Sequence, residues 1–160
     1  MRGFESNRLY DFVDGCLRGA GWVIRLCFVL GSCFLTLKCG PVTSRSYKIS
    51  GEVETEIGNG RTAEQNLADA WQGETLRDEM YRTVYAHRGS FGSPHLVYDE
   101  TPFGNYLELE GPKRWIDQTA RQLGYDRNDF ITLGYPTLYS TRRKGSRRPA
   151  NKWPPRVREA

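Results

Sequence analysis

The sequence predicts an α+β fold, an antiparallel β-barrel with flanking helices. Most of its apolar segments alternate with polar residues at every second position, which is the period of a strand. Short turns rich in glycine and proline separate these segments, and only a few stretches carry the helical period. A chain of 160 residues is long enough for a core and favours one domain. We assign residues 1–140 to this domain and residues 141–160 to a tail.

The first strands are predicted to form a hairpin. Residues 22–30 and 33–38 are the two strands, and Gly31-Ser32 is the turn. The uninterrupted apolar run of residues 26–30 is far shorter than the roughly 20 residues of a membrane helix, so no membrane span is expected. Residues 1–8, which precede the hairpin, carry no periodic pattern.

A longer strand, a helix and a further strand are predicted next. Residues 46–57 alternate between charged and apolar side chains, and Gly58-Asn59-Gly60 ends this strand. Thr62 is expected to cap a helix that runs to about Trp71. Residues 80–87 have the pattern of the next strand.

A second hairpin contains two neighbouring carboxylates. Residues 95–98 and 105–110 are predicted to be its strands, around a turn at residues 101–104. Glu108 and Glu110 share one face because side chains alternate along a strand. Two like charges side by side repel each other, so this face calls for water, cations or basic partners.

Two helices are predicted at the end of the domain. Pro112 suits the first position of a helix and Gly124 suits its C-terminal cap. Asp126, with Asp129 in a capping-box position, is expected to begin another helix. The proline that follows Tyr135 should end it.

Charge is distributed unevenly along the chain. Eight of the 23 basic residues lie within residues 141–158, whereas Glu159 is the only one of the 19 acidic residues in the tail. The domain itself is therefore slightly acidic, and the basic, proline-containing tail is expected to be disordered. The four cysteines form no C-x-x-C pair, which favours reduced thiols in a cytoplasmic protein over a zinc site.

Several predicted strands carry charged side chains on one face. If these faces meet bulk water, the opposite faces form the core, as in many antiparallel sheets. If the sheet closes with these faces inward, carboxylates can hold a hard divalent cation and basic side chains can hold a phosphate chain. The residue types alone leave both arrangements open. The residues concerned are Arg25, Lys38, Lys48, Glu52, Glu54, Glu56, Arg82, Glu108 and Glu110.

Residues 98–111 read Tyr-Asp-Glu-Thr-Pro-Phe-Gly-Asn-Tyr-Leu-Glu-Leu-Glu-Gly and belong to an ordered series of segments. The other members are residues 7–11, 22–26, 35–38 with Gly40-Pro41, 47–48 with 52–56, 81–85, Ile116, 123–125, 129–132 and Tyr135. This series resembles the CYTH domain, the triphosphate tunnel fold shared by class IV adenylate cyclases and thiamine triphosphatases. The resemblance covers residues 7–139 in the family's order, which is more specific than any single segment.

The resemblance implies a closed antiparallel barrel whose interior binds a triphosphate and a divalent cation, Mg²⁺ or Mn²⁺. The phosphate contacts that it implies are Arg25, Lys38, Lys48 and Arg82. The metal ligands that it implies are Glu108 and Glu110, with Glu54, Glu52 and Asp99 as further candidates. The substrate would be ATP, thiamine triphosphate or tripolyphosphate. The reaction would be cyclisation, as in an adenylate cyclase, or hydrolysis, as in a triphosphatase.

The chain departs from the family at its N-terminus and at several basic positions. The family's first strand carries Glu-x-Glu-x-Lys, and residues 1–8 contain no such motif. The domain is therefore expected to be incomplete, without that strand and the helix after it. Cys27 stands where the second arginine of an Arg-x-Arg pair is usual, and Ser50 and Met80 occupy positions that are often basic. Fewer positive charges should weaken triphosphate binding, so an inactive chain is also an expectation.

A non-catalytic binding protein is the second hypothesis. Its barrel would bind polyphosphate or a nucleotide, and its basic tail would bind nucleic acid or an acidic surface by counterion release. Trp153 is the only aromatic residue of the tail that could stack on a base, so nucleic-acid binding is not favoured.

Overall fold

A computed structural model describes residues 2–43, 46–71, 74–86 and 94–143. In these ranges seven strands form one antiparallel sheet. The strands are β1 (Arg2–Tyr10), β2 (Val23–Val29), β3 (Ser32–Thr43), β4 (Lys48–Glu56), β5 (Glu74–Ala86), β6 (His95–Thr101) and β7 (Gly104–Glu110). The helices are α1 (Cys16–Gly19), α2 (Gly60–Trp71), α3 (Lys113–Gln122) and α4 (Tyr135–Arg143), with a 3₁₀ turn at Arg127–Asp129.

The sheet is curled into a half-barrel, with β4 and β7 at its edges. The strand order is β4-β3-β2-β1-β5-β6-β7. Lys48 lies on one edge strand and Glu108 on the other, yet the charge of Glu108 acts on Lys48. This interaction requires the two edges to turn toward each other. The predicted α+β class, an antiparallel barrel-like sheet with flanking helices, is confirmed.

The two predicted hairpins are confirmed by the pairing of β2 with β3 and of β6 with β7. The first turn lies one residue earlier than predicted, at Leu30 and Gly31. Both residues have positive φ, 49° and 87°, which is the backbone of a two-residue hairpin turn with the twist of the flanking strands.

The strand β1 was not predicted from the sequence. It occupies the middle of the sheet, between β2 and β5. Three consecutive polar residues of β1, namely Glu5, Ser6 and Asn7, are buried. Because both faces of the strand are polar here, the alternation that marks a strand is missing from the sequence.

The helix predicted from Asp126 to about Tyr135 is wrong. The capping box of Asp126 and Asp129 is present, but it closes only a 3₁₀ turn. The helix α4 begins at Tyr135, where the helix was expected to end, and Pro136 lies in its first turn. Proline suits that position because its missing N–H would have no partner within the helix. Residues 141–143 of the predicted tail belong to α4, and residues 144–160 lie outside the described residues.

The apolar core lies between α2 and the face of β1, β2 and β3 on which this helix packs. Leu26 is fully buried there, and Leu67 of α2 packs against the same cluster. The helix approaches the sheet closely at Gly60, where a Cβ atom would stand 2.7 Å from both Phe28 and Cys33. Glycine at this position therefore allows α2 to dock. No helix in the described part of the chain is long and apolar enough to cross a membrane.

Candidate functional site

The strand register places charged side chains from all seven strands on one face of the sheet. In one half, Arg25 lies opposite Thr36, and Thr36 lies opposite Glu54. In the other half, Arg82 lies opposite Asp99. Lys48 and Glu108, whose charges interact across the two edges of the sheet, both lie on this face, so it is the concave side and we call it the inner face. The helix α2 packs on the opposite side. Its charged members are Glu5, Arg25, Lys38, Lys48, Glu52, Glu54, Glu56, Asp78, Arg82, Asp99, Glu108 and Glu110.

Arg82 is the centre of a first group of charges on the inner face. Its Nε donates to Asp99 Oδ1 at 2.8 Å, and its Nη2 donates to Asp99 Oδ2 at 2.6 Å. The same Nη2 donates to Glu108 Oε2 at 2.9 Å, and Nε lies 3.6 Å from Glu5 Oε2. Asp99 is completely buried, so the two-point bond with Arg82 compensates a charge that would otherwise be costly to bury.

Tyr135 of α4 binds the same group of charges. Its hydroxyl donates to Asp99 Oδ2 at 2.6 Å. Burial, and then the charge of Glu108, raise the pKa of Tyr135, so the hydroxyl remains a donor at neutral pH. The ring lies 5.5 Å from that of Tyr106 and 6.1 Å from that of Phe103, measured between ring centroids. The helix α4 is thus anchored over one end of the inner face by both a hydrogen bond and aromatic contacts.

Arg25 is the centre of a second group of charges. Its Nη2 donates to Thr36 Oγ1 at 3.3 Å and lies 3.6 Å from Glu52 Oε1 and 3.7 Å from Glu54 Oε2. Thr36 Oγ1 donates in turn to Glu54 Oε2 at 2.8 Å. Lys38 Nζ lies 3.0 Å from Glu52 Oε2. The two ion pairs of Arg25 are long, and all three pairs join partly exposed groups, so each is weaker than the two-point bond of Arg82.

Lys48 differs from the other basic residues of the inner face. No carboxylate oxygen lies within ion-pairing distance of its ammonium group among the described residues. Burial, followed by the positive charge of Lys38, lowers the pKa of Lys48. Much of the side chain is exposed at the sheet edge, but surrounding protein atoms still remove water from the ammonium group. A negative charge bound between Lys38 and Lys48 would offset the repulsion between their two ammonium groups.

The predicted site residues all lie on the inner face but fall into separate groups. Of the basic residues, Arg25 and Lys38 belong to the second group, Arg82 to the first, and Lys48 to neither. The predicted metal ligands are divided in the same way. Asp99 and Glu108 bind Arg82, Glu52 and Glu54 face Arg25, and Glu110 lies 3.2 Å from His95 Nε2. The roles of all nine residues stay predictions.

The carboxylates of the inner face form an incomplete ligand set for a metal ion. Within the described ranges, no three Asp, Glu, His or Cys side chains are grouped so that they could hold one. Both oxygens of Asp99 already accept hydrogen bonds from Arg82 or Tyr135. Glu108 and Glu110 remain neighbours on β7, with Glu110 largely exposed. Mg²⁺ is commonly held by one or two carboxylates together with phosphate oxygens, and these two glutamates fit that arrangement.

Three polar residues of the inner face were not predicted from the sequence. Glu5, Asn7 and Asp78 are buried in the middle of the sheet, with exposures of 5%, 2% and 4%. Asn7 Nδ2 donates to Glu5 Oε1 at 2.7 Å. The alternation of Glu5 and Asn7 was the available signal, but it was hidden because Ser6 between them is also polar. Asp78 precedes the segment that was recognised as a strand.

Solved structures with this fold include proteins described as cyclases. The chain matches PH1819 of Pyrococcus horikoshii OT3 with a TM-score of 0.67 and 19% identity, over 89% of this chain and 86% of that one. It matches a proposed adenylate cyclase of Vibrio parahaemolyticus with a TM-score of 0.70 and 18% identity, over 87% and 81%. For HpAC1 of Hippeastrum, a proposed adenylyl cyclase with a dominant triphosphatase activity, the values are 0.60 and 17%, over 88% and 83%.

These likenesses concern the fold. No family model matches the sequence, and no curated protein matches it either. Each of these matches nevertheless spans most of this chain and most of the solved structure. The predicted resemblance to the CYTH domain is therefore confirmed at the level of the fold, which is CYTH-like.

Proposed function

We propose that the inner face binds the triphosphate chain of a small molecule, such as ATP, thiamine triphosphate or tripolyphosphate, and catalyses its turnover. Arg25, Lys38, Lys48 and Arg82 would contact the phosphates. The observation that carries the proposal is Lys48, an ammonium group without an ion pair among the described residues, beside a second lysine. An anion with several negative charges would satisfy both lysines at once.

A divalent cation, Mg²⁺ or Mn²⁺, is part of this proposal. Acidic side chains outnumber basic ones on the inner face, so a bare triphosphate would meet net repulsion. A cation that enters with the phosphates would offset the negative charge of the carboxylates and that of the phosphates. Glu108 and Glu110 would be its protein ligands, and phosphate oxygens would supply others. When bound, such an ion polarises phosphoryl oxygens and neutralises the charge that develops on them.

The fold neighbours and the cysteines agree with this proposal. The Vibrio protein is described as a proposed adenylate cyclase, and HpAC1 as having a dominant triphosphatase activity. Both activities act on a triphosphate. The four cysteines are free thiols, which fits a reducing compartment such as the cytoplasm.

The test is a panel of triphosphates with product identification, in the presence of Mg²⁺, Mn²⁺ or a chelator. The wild type is compared with the Glu108→Ala/Glu110→Ala double variant. We expect the wild type to convert at least one triphosphate in a metal-dependent reaction, and the double variant to lose most of that activity because metal ligands are removed.

The outcomes separate the alternatives. Equal turnover by the two proteins would refute the metal assignment. Binding of a triphosphate without turnover would favour the non-catalytic binding protein. If the wild type binds none of the triphosphates, the proposed function is wrong.

A further inference from the structure

Four buried polar atoms on the inner face have no hydrogen-bond partner among the described residues, and one of them is Tyr106 Oη on β7. The other three, Asn7 Oδ1, Asp78 Oδ1 and Arg25 Nε, lie in the middle of the sheet. Asn7 and Asp78 are more than nine-tenths buried. Leaving such an atom unsatisfied costs free energy, and each instance in a native protein calls for an explanation, such as a bound water or ligand.

These atoms belong to neighbouring residues on adjacent strands. Asn7 of β1 lies directly opposite Asp78 of β5, a placement that brings Cβ atoms to about 5 Å. On its other side Asn7 lies opposite Cys27 of β2, and Arg25 is the next residue of β2 on the same face. The charge of Arg25 acts on Asp78, which shows that the two groups are close. Two acceptors and one donor without a partner among the described residues therefore lie on three adjacent strands in the middle of the inner face.

The partner that satisfies all three atoms must both accept and donate hydrogen bonds. A phosphate oxygen would accept from Arg25 Nε but has no hydrogen for the two acceptors. A metal ion would bind the two acceptors but would be repelled by Arg25 and Arg82. A water molecule can accept from Arg25 Nε and donate to both acceptors, and an alcohol hydroxyl can accept from Arg25 Nε and donate to one of them.

We propose that Asn7, Arg25 and Asp78 hold the oxygen that attacks the triphosphate, and that Asp78 is the general base that takes its proton. The attacking group is a hydroxyl, which belongs either to water or to the ribose of a nucleotide. This inference rests on the proposed function, because it needs a triphosphate bound on the same face. We call the three residues the attacking-oxygen site.

The environment of Asp78 suits a base that works near neutral pH. Burial, the largest cause, together with the charge of Glu5 raises the pKa of Asp78 from its ordinary value to about 7. A hydrogen bond from Asn7 and the charges of Arg25 and Arg82 act in the opposite direction, but burial prevails. A general base is most effective when its pKa lies near the working pH.

The chemical step balances for either attacking group. The Asp78 carboxylate removes the hydroxyl proton as the oxygen forms a bond to phosphorus, and the bond from that phosphorus to the bridging oxygen breaks. When water attacks, the products are the shortened phosphate chain and the released phosphate. With a ribose hydroxyl that attacks the α-phosphorus, the products are a cyclic nucleotide and diphosphate. In both cases the proton on Asp78 then returns to the solvent.

The experiment compares Asp78→Asn with a matched Asp69→Asn control on the exposed surface of α2. Asparagine keeps the size of the side chain but cannot take a proton. We expect Asp78→Asn to bind the triphosphate as the wild type does but to turn it over about 10²- to 10⁴-fold more slowly, the usual contribution of a general base. The wild-type rate should fall as the pH drops through about 7, and Asp69→Asn should keep the wild-type rate and profile.

Reactions in ¹⁸O-water distinguish the two attacking groups. Label in the released phosphate would identify water, and an unlabelled cyclic nucleotide would identify the ribose hydroxyl. Two results would overturn the proposal: wild-type turnover by Asp78→Asn, or a triphosphate that binds to the wild type without being turned over. Failure of the wild type to bind any triphosphate would refute the proposed function itself, and this inference with it.

A stability measurement shows whether the variant is folded and whether the pKa of Asp78 is raised in the folded wild type. The folded-state pKa, about 7, lies above the ordinary value of 3.8, so between these values the folded chain holds a proton that the unfolded chain has released. The stabilisation is complete below about pH 4 and is lost as the pH rises through 7. The melting temperature of the wild type should therefore fall from pH 5 to pH 8 relative to that of Asp78→Asn. If the melting temperatures of the two proteins change with pH in the same way, the pKa of Asp78 is not raised in the folded state. That result contradicts its role as the base.

Discussion

At the scale of single residues, the most demanding interaction is the bond between Arg82 and Asp99. Asp99 has no exposed surface, and its two oxygens receive hydrogen bonds from Arg82 and Tyr135. Such a pair is not by itself evidence of high stability, because removing both charges from water is expensive. Its effect is to fix the guanidinium of Arg82 on the inner face.

Removal of the Asp99 carboxylate should be strongly destabilising. Asp99→Ala leaves the half-buried Arg82 with only Glu108 and the more distant Glu5 as partners among the described residues, and we expect a loss of about 3–5 kcal/mol in the free energy of unfolding. The exposed pair between Arg2 and Glu100 is a matched control, in which Glu100→Ala should cost at most about 1 kcal/mol. Urea unfolding measures both. Similar losses for the two variants would mean that burial of the pair has no special effect.

At the scale of elements, α2 and the strands β1 to β3 form the apolar core that supports the inner face from behind. Leu26 is fully buried at its centre, with Phe28 and Leu67 among its partners. On the opposite half of the sheet, Tyr135 holds the helix α4 through its hydrogen bond to Asp99. The inner face is therefore backed by a packed helix on one half and covered by another on the other half.

A cavity at Leu26 should destabilise the whole sheet. Leu26→Ala removes apolar side-chain atoms from the core, and we expect a loss of about 2–5 kcal/mol in the free energy of unfolding. Val13, which is 80% exposed, provides a control, because Val13→Ala should change stability by no more than about 0.5 kcal/mol. A small effect of Leu26→Ala in chemical unfolding would show that α2 does not pack on β2 as described.

At the scale of the whole molecule, the strands with clear alternation were predicted and those without it were missed. Glu52, Glu54 and Glu56 alternate with Val53 and Thr55, so β4 could be recognised. The strand β1 could not, because buried polar residues occupy both of its faces. Burial of a polar side chain depends on tertiary contacts, which the local pattern does not contain.

The face on which the candidate site lies could be predicted from the sequence, but the arrangement of its residues could not. The nine residues implied by the resemblance all lie on the inner face, because strand periodicity determines which side chains share a face. Their division into two groups depends on the register between strands. The perturbed Asp78 and the absence of an ion pair at Lys48 in the described residues depend on the curl of the sheet. None of these features has a signal in the local sequence.

We expect binding of a triphosphate on the inner face to depend strongly on Lys48, which has no ion pair among the described residues. The measurement is the dissociation constant of Mg²⁺-ATP and of Mg²⁺-tripolyphosphate by titration calorimetry, for the wild type, Lys48→Gln and Arg114→Gln. Both variants remove one positive charge, but Arg114 is exposed on α3, outside the strands that form the inner face. We expect Lys48→Gln to weaken binding about 10-fold or more, the loss of one charge-assisted hydrogen bond of about 1.5–3 kcal/mol. Arg114→Gln should bind as the wild type does, whereas equal affinities for all three proteins, or equal weakening by both variants, would contradict binding on the inner face.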